Sequence, residues 1–444
     1  MAQIRNIFVC QSCGQATTKW SGKCPNCGAW NSLVEDAISG EDFKNIEKAE
    51  PAIPQNANVK ITHKHIPTEI GEVDLVMGGG VSSGALTLLA GNPGIGKSTL
   101  ALQIASGVQG KVLVISAEES AEQVIARLHR LKLKTANIQV VGETDFEVVM
   151  STLQTQKPTL AIIDSAQTLY SSQASGLAGN PTQTKHITEQ LLHFTKKAET
   201  AIVLIGHVTK DGGIAGPRTL EHLVDAVFML EGDRYQQLRM FRGIKNRFGS
   251  TNEVGVLEMT ELGLKEVKNP SEIFLEGRHP KSIGSVITAT LEGARTFLFE
   301  IQALTTSTSF GYPKRTTSGI SANRLDIIIA VLQKYCGLKL QNDDVFVNVV
   351  GGIKIDERAS DLAVAIAIAS SKTKQPISDK VILLGEVGLS GELRPVQYLE
   401  KRLKEAEKIG FTEAIVPHSS AKPKTKLKLS EYSTVAEVIK KILK

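Results

Sequence analysis

The chain reads as an α/β protein in three parts: an N-terminal zinc ribbon, a phosphate-loop core on a central, mostly parallel sheet, and a C-terminal α+β domain. Three observations predict this. Four of the five cysteines fall within the first 27 residues as two Cys-x-x-Cys-Gly pairs, and an apolar strand ending runs into a phosphate-cradling motif at Gly91 to Ser98. From Thr68 to about Leu264 apolar runs then alternate with helical segments, the pattern of strands covered by helices on both faces.

Bulk properties set the frame. A length of 444 residues exceeds one ordinary core. Hydrophobic content of 41% with 22% charged residues is that of a globular protein. The start, MAQIRNIFVC, runs straight into a cysteine motif with no signal-peptide pattern, and no run of eighteen apolar residues follows. The expectation is a cytoplasmic protein with no membrane partner. A net charge of +5 is too mild to announce nucleic acid, so local clusters must make that case.

Taken in order, Cys10 and Cys13 are followed after ten residues by Cys24 and Cys27. Two such knuckles can aim four thiolates at one tetrahedral Zn²⁺, leaving no open position for catalysis. A redox dithiol normally sits singly on a βαβ unit. The ribbon is placed at residues 1–34. Residues 35–66 are polar, carry Pro51 and Pro54, and read as a linker. His63 and His65 there have no nearby cysteines and read as solvated. The remaining cysteine, Cys336, lies in an apolar helical run and reads as core.

The phosphate-loop core is placed at residues 67–268. Gly91, Asn92, Pro93, Gly94, Ile95, Gly96, Lys97, Ser98 and Thr99 form its nucleotide-binding segment, matching G-x-x-x-x-G-K-[ST]. The glycines let successive backbone N–H groups turn toward the phosphates, and the following helix adds its positive end. Lys97 reaches the β and γ phosphates, and Ser98 holds Mg²⁺. The substrate is therefore a nucleoside triphosphate.

Candidate strands are Ala85 to Ala90, Lys111 to Ser116, Ile138 to Val141, Thr159 to Asp164, Ala201 to Gly206, Ala226 to Leu230 and Leu238 to Lys245. Asp164, at the end of an apolar strand some seventy residues after the phosphate loop, suits the water shell of the same Mg²⁺. The strand ending at Ser116, expected one strand away from the phosphate loop, delivers Glu118 and Glu119. One of these can polarise the attacking water; Glu118 is the choice and Glu119 the rival. His207, at the end of another strand, can sense the γ-phosphate. Loops at 171–185 and 211–218, with Lys210 and Arg218, are candidates for touching DNA.

These residues together resemble one family. The doubled CxxCG, GNPGIGKS, the IIDS strand and Lys245-Asn246-Arg247-Phe248-Gly249, in that order, look like the bacterial RadA (Sms) recombination proteins, whose ATPase part resembles RecA and the hexameric helicase DnaB. The resemblance implies a homohexameric ring that hydrolyses ATP while moving on single-stranded and branched DNA. It also implies a RecA-type recombinase as partner and a place at the bacterial nucleoid. Lys245 and Arg247, two apart at a strand end, share a side. By the resemblance they reach a neighbour's nucleotide as a finger; the alternative is direct DNA contact.

Residues 269–444 resemble the proteolytic domain of Lon. Matching its motifs places Ala359 where Lon has its serine nucleophile and Glu400 where it has the activating lysine, so peptidase activity is not expected. Lys314, Arg315 and Arg324 form a basic group offered as a DNA contact. Lys422, Lys424, Lys426 and Lys428 alternate near the C-terminus and read as a blunted strand edge. The competing functions are a RecA-like signalling switch and an ATP-dependent protease regulator.

Overall fold

The computed structural model describes residues 5–10, 16–17, 19–26, 28–38, 64–206, 219–232, 237–308, 311–351, 354–419 and 422–443. The chain divides into two compact units, Met1–Thr62 and His63–Lys444.

In the first unit β1 (Arg5–Cys10) pairs antiparallel with both β2 (Ala16–Thr17) and β3 (Leu33–Ile38). Cys10, Cys24 and Leu33 form its small core. Strand β3 corrects the expectation of a linker from residue 35: Arg5 to Cys10 needs a partner strand, and Ile38 to Leu33 supplies it. At the other end of that span, β4 (His65–Ile66) pairs with β5 (Val81–Ser82), and the His65 ring contacts Ser82 Oγ at 3.3 Å.

In the second unit β4 is followed by the helix α1 (Gly71–Met77), which burying Val73, Val76 and Met77 fixes against the core. The nucleotide core then alternates β6 (Leu86–Gly91), α2 (Lys97–Gly107), β7 (Val112–Ser116), α3 (Ala121–Arg130), β8 (Ile138–Gly142), α4 (Phe146–Gln156), β9 (Leu160–Asp164), α5 (Pro181–Ala198) and β10 (Ala201–Ile205). After α6 (Thr219–Leu223) come β11 (Ala226–Glu231), β12 (Leu238–Asn246), β13 (Val254–Thr260) and β14 (Gly263–Glu266). They form one nine-stranded sheet in the order β14-β13-β12-β11-β6-β10-β9-β7-β8. From β11 to β8 all pairings are parallel, and β12 to β14 add an antiparallel edge. Because β6, β7 and β10 are buried along their whole length, their continuous apolar runs follow from helices on both faces.

Beyond α7 (Pro270–Phe274), the hairpin β15 (Ser285–Glu292) and β16 (Arg295–Ser307) leads into β17 (Arg315–Ser318), α8 (Ala322–Cys336) and β18 (Asp343–Val349). The helix α9 (Asp361–Thr373), buried from Asp361 to Ser370, and strand β19 (Val381–Leu383) follow, then the small β20 (Glu386–Val387) and β21 (Leu393–Arg394). Last come α10 (Leu399–Ile409), β22 (Glu413–Pro417), β23 (Lys428–Tyr432) and α11 (Val435–Ile442). The seven-stranded sheet runs β17-β18-β16-β15-β19-β22-β23. Of the alternating lysines only Lys428 lies on the edge strand β23; Lys422 to Lys426 precede it, since only the register from Lys428 to Tyr432 finds β22.

The two sheets share a core. Met240, Val254 and Val256 of the first pack with Phe274, Phe297, Phe299, Val349 and Ile355 of the second region. Phe274 lies 4.6 Å from Phe299, ring centre to ring centre, and edge-on to Phe297 at 6.3 Å. Two ion pairs flank this cluster: Arg295 to Glu72 at 2.6 Å, and Arg242 to Glu292 at 2.8 Å. Phe299→Ala is expected to destabilise the unit by about 3–5 kcal/mol through lost burial and a cavity. Urea unfolding followed by tyrosine emission and circular dichroism should show both regions losing stability together; loss confined to one would contradict the shared core.

Candidate nucleotide site

The site grows from the end of β6. Gly91, at φ 154°, closes the strand where an added Cβ would lie 2.5 Å from the Leu230 carbonyl oxygen, so only glycine lets β6 lie this close to β11. Gly94 and Gly96 take φ of 77° and 114°, and Gly96 caps α2. The loop thus presents the N-terminus of an eleven-residue helix, with Lys97, Ser98 and Thr99 in its first turn. Lys97 is almost wholly buried and its Nζ donates to the Gly91 and Asn92 carbonyls at 2.9 and 3.1 Å. Burial pushes its pKa down while Asp164 and Glu118 oppose that shift.

Those two carboxylates come from different strands. Asp164 ends β9, and burial raises its pKa, while a hydrogen bond from Ser98 counters the rise. Glu118 follows β7, and its Oε1 accepts from Ser165 Oγ at 2.5 Å. Like charge from Glu118 adds to the upward push on Asp164. Lys97, Ser98, Asp164 and Glu118 therefore form one group at the C-terminal edge of the sheet, where open parallel sheets bind ligands. Glu119, the rival carboxylate, also acts on Asp164 through its charge but is paired with Arg127 at 2.5 Å.

The expectation that β7 stands one strand from the phosphate loop is corrected: β10 and β9 both lie between β6 and β7. The chain leaves these two places and fills them later, which spacing along the sequence does not reveal. Ser165 ties Glu118 to the end of the neighbouring strand β9.

The chosen sensor His207, and the DNA candidates Lys210 and Arg218, lie outside the described residues. So do Cys13 and Cys27. Cys10 and Cys24, one from each knuckle, are buried in one cluster, and Cys10 Sγ contacts Ser32 Oγ at 3.1 Å. Two buried sulfurs converging from both knuckles fit a thiolate metal centre.

Lys245 and Arg247 share a side, as expected, and both lean on one segment of their own chain. Lys245 Nζ donates to the Glu221, His222 and Val224 carbonyls, and Arg247 pairs with buried Asp225 at 3.1 Å. Asn246 between them accepts from the Phe248 N–H, which closes the turn. Register fixes their place: Leu230 lies opposite Gly91, whereas Ala226 lies opposite Asn246. Roughly 13 Å of strand separate them from their own phosphate loop.

In the C-terminal sheet region, Ala359 is buried with its carbonyl on the Gly385 N–H, and Glu400 is on the exterior pairing with Lys404. Of the basic group, Arg324 turns inward onto Asp361 and the Val387 carbonyl, and Arg315 pairs with Asp326 at 2.9 Å. Arg324 is thereby corrected as a DNA contact: a buried carboxylate holds its fork inside the fold. Lys314 is exposed.

One residue escaped the sequence reading. Arg239 in β12 is buried, and its Nε donates to the Ile95 carbonyl of the phosphate loop at 3.1 Å. Gly232 makes room for it, since a Cβ there would meet Arg239 Cδ at 3.0 Å. The signal was a charge inside the apolar run Leu238-Arg239-Met240-Phe241. Replacing it by Met strands a buried carbonyl in the loop. Arg239→Met is expected to weaken ATP binding about tenfold, with partial recovery in Arg239→Lys. Nucleotide titration checks this; a lowered melting temperature with unchanged affinity would assign Arg239 a purely structural role.

The comparisons with known proteins agree with this geometry. Family profiles match in three places: a rubredoxin metal binding domain over residues 8–35, an AAA domain over 55–213, and the subunit ChlI of Mg-chelatase over 311–420. The DNA repair protein RadA of Bacillus subtilis is 45% identical, with 99% of this chain and 98% of that protein aligned. Its counterpart in Listeria monocytogenes is 44% identical over 98% of each chain, and that of Streptococcus pyogenes serotype M1 is 44% identical over 95% and 94%. A solved RadB recombinase aligns with 45% of this chain and 99% of its own at 22% identity and a TM-score of 0.37, too low to carry an argument. With a zinc ribbon, a RecA-like phosphate-loop core and a Lon-like C-terminal region in this order, the chain belongs to the bacterial RadA family.

Proposed function

We propose that this chain is a DNA-stimulated ATPase of recombination and repair. It works as a homohexameric ring on single-stranded DNA and extends branched intermediates beside a RecA-type recombinase. The convergence of Lys97, Ser98, Asp164 and Glu118 on one phosphate loop carries this reading. Ser98 and Asp164 would hold a Mg²⁺, which would supply charge neutralisation for the phosphates; Lys97 leaves the Gly91 and Asn92 carbonyls for the phosphates, and Glu118 orients the attacking water. Glu118 suits that role better than Glu119, whose charge Arg127 already engages.

Arg247, half exposed and remote from its own loop, serves the neighbouring subunit's nucleotide, while Lys245 on three carbonyls fixes the strand end that presents it. The four ribbon cysteines hold a structural Zn²⁺. Ala359 and exterior Glu400 leave the Lon-like region without serine–lysine chemistry, so it serves as a scaffold of the ring.

Turnover of ATP should rise on adding single-stranded DNA; indifference to DNA would favour a switch over a motor. Glu118→Gln should retain ATP binding and lose turnover about a hundredfold or more, with Glu119→Gln much milder. Mixing Lys97→Ala with Arg247→Ala subunits should restore part of the turnover that neither supports alone. No restoration in the mixture would show that each subunit completes its own site.

A further inference from the structure

Both tryptophans of the chain, Trp20 and Trp30, lie in the N-terminal ribbon, and both are exposed, at 59% and 73%. A ribbon with so small a core has every reason to bury them. It buries Cys10, Cys24 and Leu33 instead. The second knuckle explains how Trp30 is held out. Asn31 N–H donates to the Gly22 carbonyl at 2.9 Å and Cys24 N–H to the Ala29 carbonyl at 2.9 Å, which sets Lys23 opposite Trp30 across a short antiparallel bridge. Lys23 Nζ then lies 5.7 Å from the centre of the Trp30 ring. Trp20 stands beside exposed Lys19, whose carbonyl accepts from Thr17 Oγ1 at 2.8 Å.

Charge selects the occupant. Lys19 adjoins Trp20 and Lys23 faces Trp30, while Glu35 and Asp36 lie on β3 opposite Phe8 and Ile7. Exposed indole faces flanked by lysines suit unpaired bases on a charged backbone: each base stacks on a ring while lysine meets its phosphate. A protein surface would take the same rings but gives no reason for a cation beside each.

We infer that the ribbon is a second single-strand contact, in which Trp20 and Trp30 stack on bases of the strand on which the ATPase acts. This rests on the single-stranded DNA reading above. The site tolerates any sequence, because every base offers a flat face.

The two tryptophans make the site report on itself. Oligo-dT is titrated into the zinc-loaded full-length protein, with binding read from the anisotropy of a labelled strand and stacking from tryptophan emission. Emission is expected to fall in step with the anisotropy rise. Trp20→Ala and Trp30→Ala should each weaken binding about tenfold at unchanged zinc content, and Trp30→Phe should keep most of the affinity. A strand that binds while emission stays constant overturns this inference and leaves the DNA-stimulated ATPase standing. No binding at all overturns both. Emission that responds to a purified RecA-type recombinase and not to oligo-dT assigns the rings to a protein and overturns it as well.

Discussion

A loop that turns its N–H groups toward phosphate must send carbonyls the other way, into the protein, and each needs a donor there. In this chain the Ile95 carbonyl meets that need through Arg239, a buried guanidinium on the antiparallel strand β12. Much of the second unit follows from that one contact. Strand β12 must return beside β11 with its beginning at the phosphate end, which sends its other end, with Lys245 and Asn246, to the opposite edge of the sheet. Between the two, Arg242 reaches Glu231 of β11 and Glu292 of the β15–β16 hairpin. One strand therefore ties the phosphate loop, the C-terminal sheet and the segment Glu221 to Asp225 into a single frame.

The C-terminal region is held by packing and buried charge pairs around Ala359. Leu362 N–H bonds to the Gly385 carbonyl and Gly385 N–H to that of Ala359, holding the helix start against the following strand. Burial there is offset by charge pairing. Arg402 is wholly buried, donating to the Ala289 and Gln397 carbonyls and to Glu357, and Arg324 grips Asp361. Removing one partner of such a pair leaves an uncompensated interior charge, so the pairs fix geometry even where they add little net stability. The basic residues that looked available in the sequence are partly consumed in this way.

Local signals were legible and long-range ones were not. Apolar runs located the strands from β6 to β12 to within a residue or so, most plainly β6, β7, β9 and β10, whose burial on both faces leaves few polar interruptions. The phosphate loop announced itself through glycines that this backbone requires. The order of strands did not, since skipping two places costs nothing visible along the chain. Strands β13 and β14 went unread because Glu258, Lys265 and Glu266 dilute their pattern at the sheet's edge. Strand β3 was taken for linker because a thin ribbon buries too little to impose alternation. Arg239 was missed because a lone charge in an apolar run looks like an interruption until its partner carbonyl is known.

The antiparallel run of β12 also bears on how many chains make one site. Arg247 carries a planar fork suited to a γ-phosphate, yet it is paired with Asp225 at the edge remote from its own loop. A flexible side chain cannot cross that length of sheet, and β12 cannot slide while Arg239 and Arg242 hold it at two points. On the proposed reading that Arg247 serves a neighbour's nucleotide, Asp225, which pairs with it within the chain at 3.1 Å, is the carboxylate that nucleotide must displace.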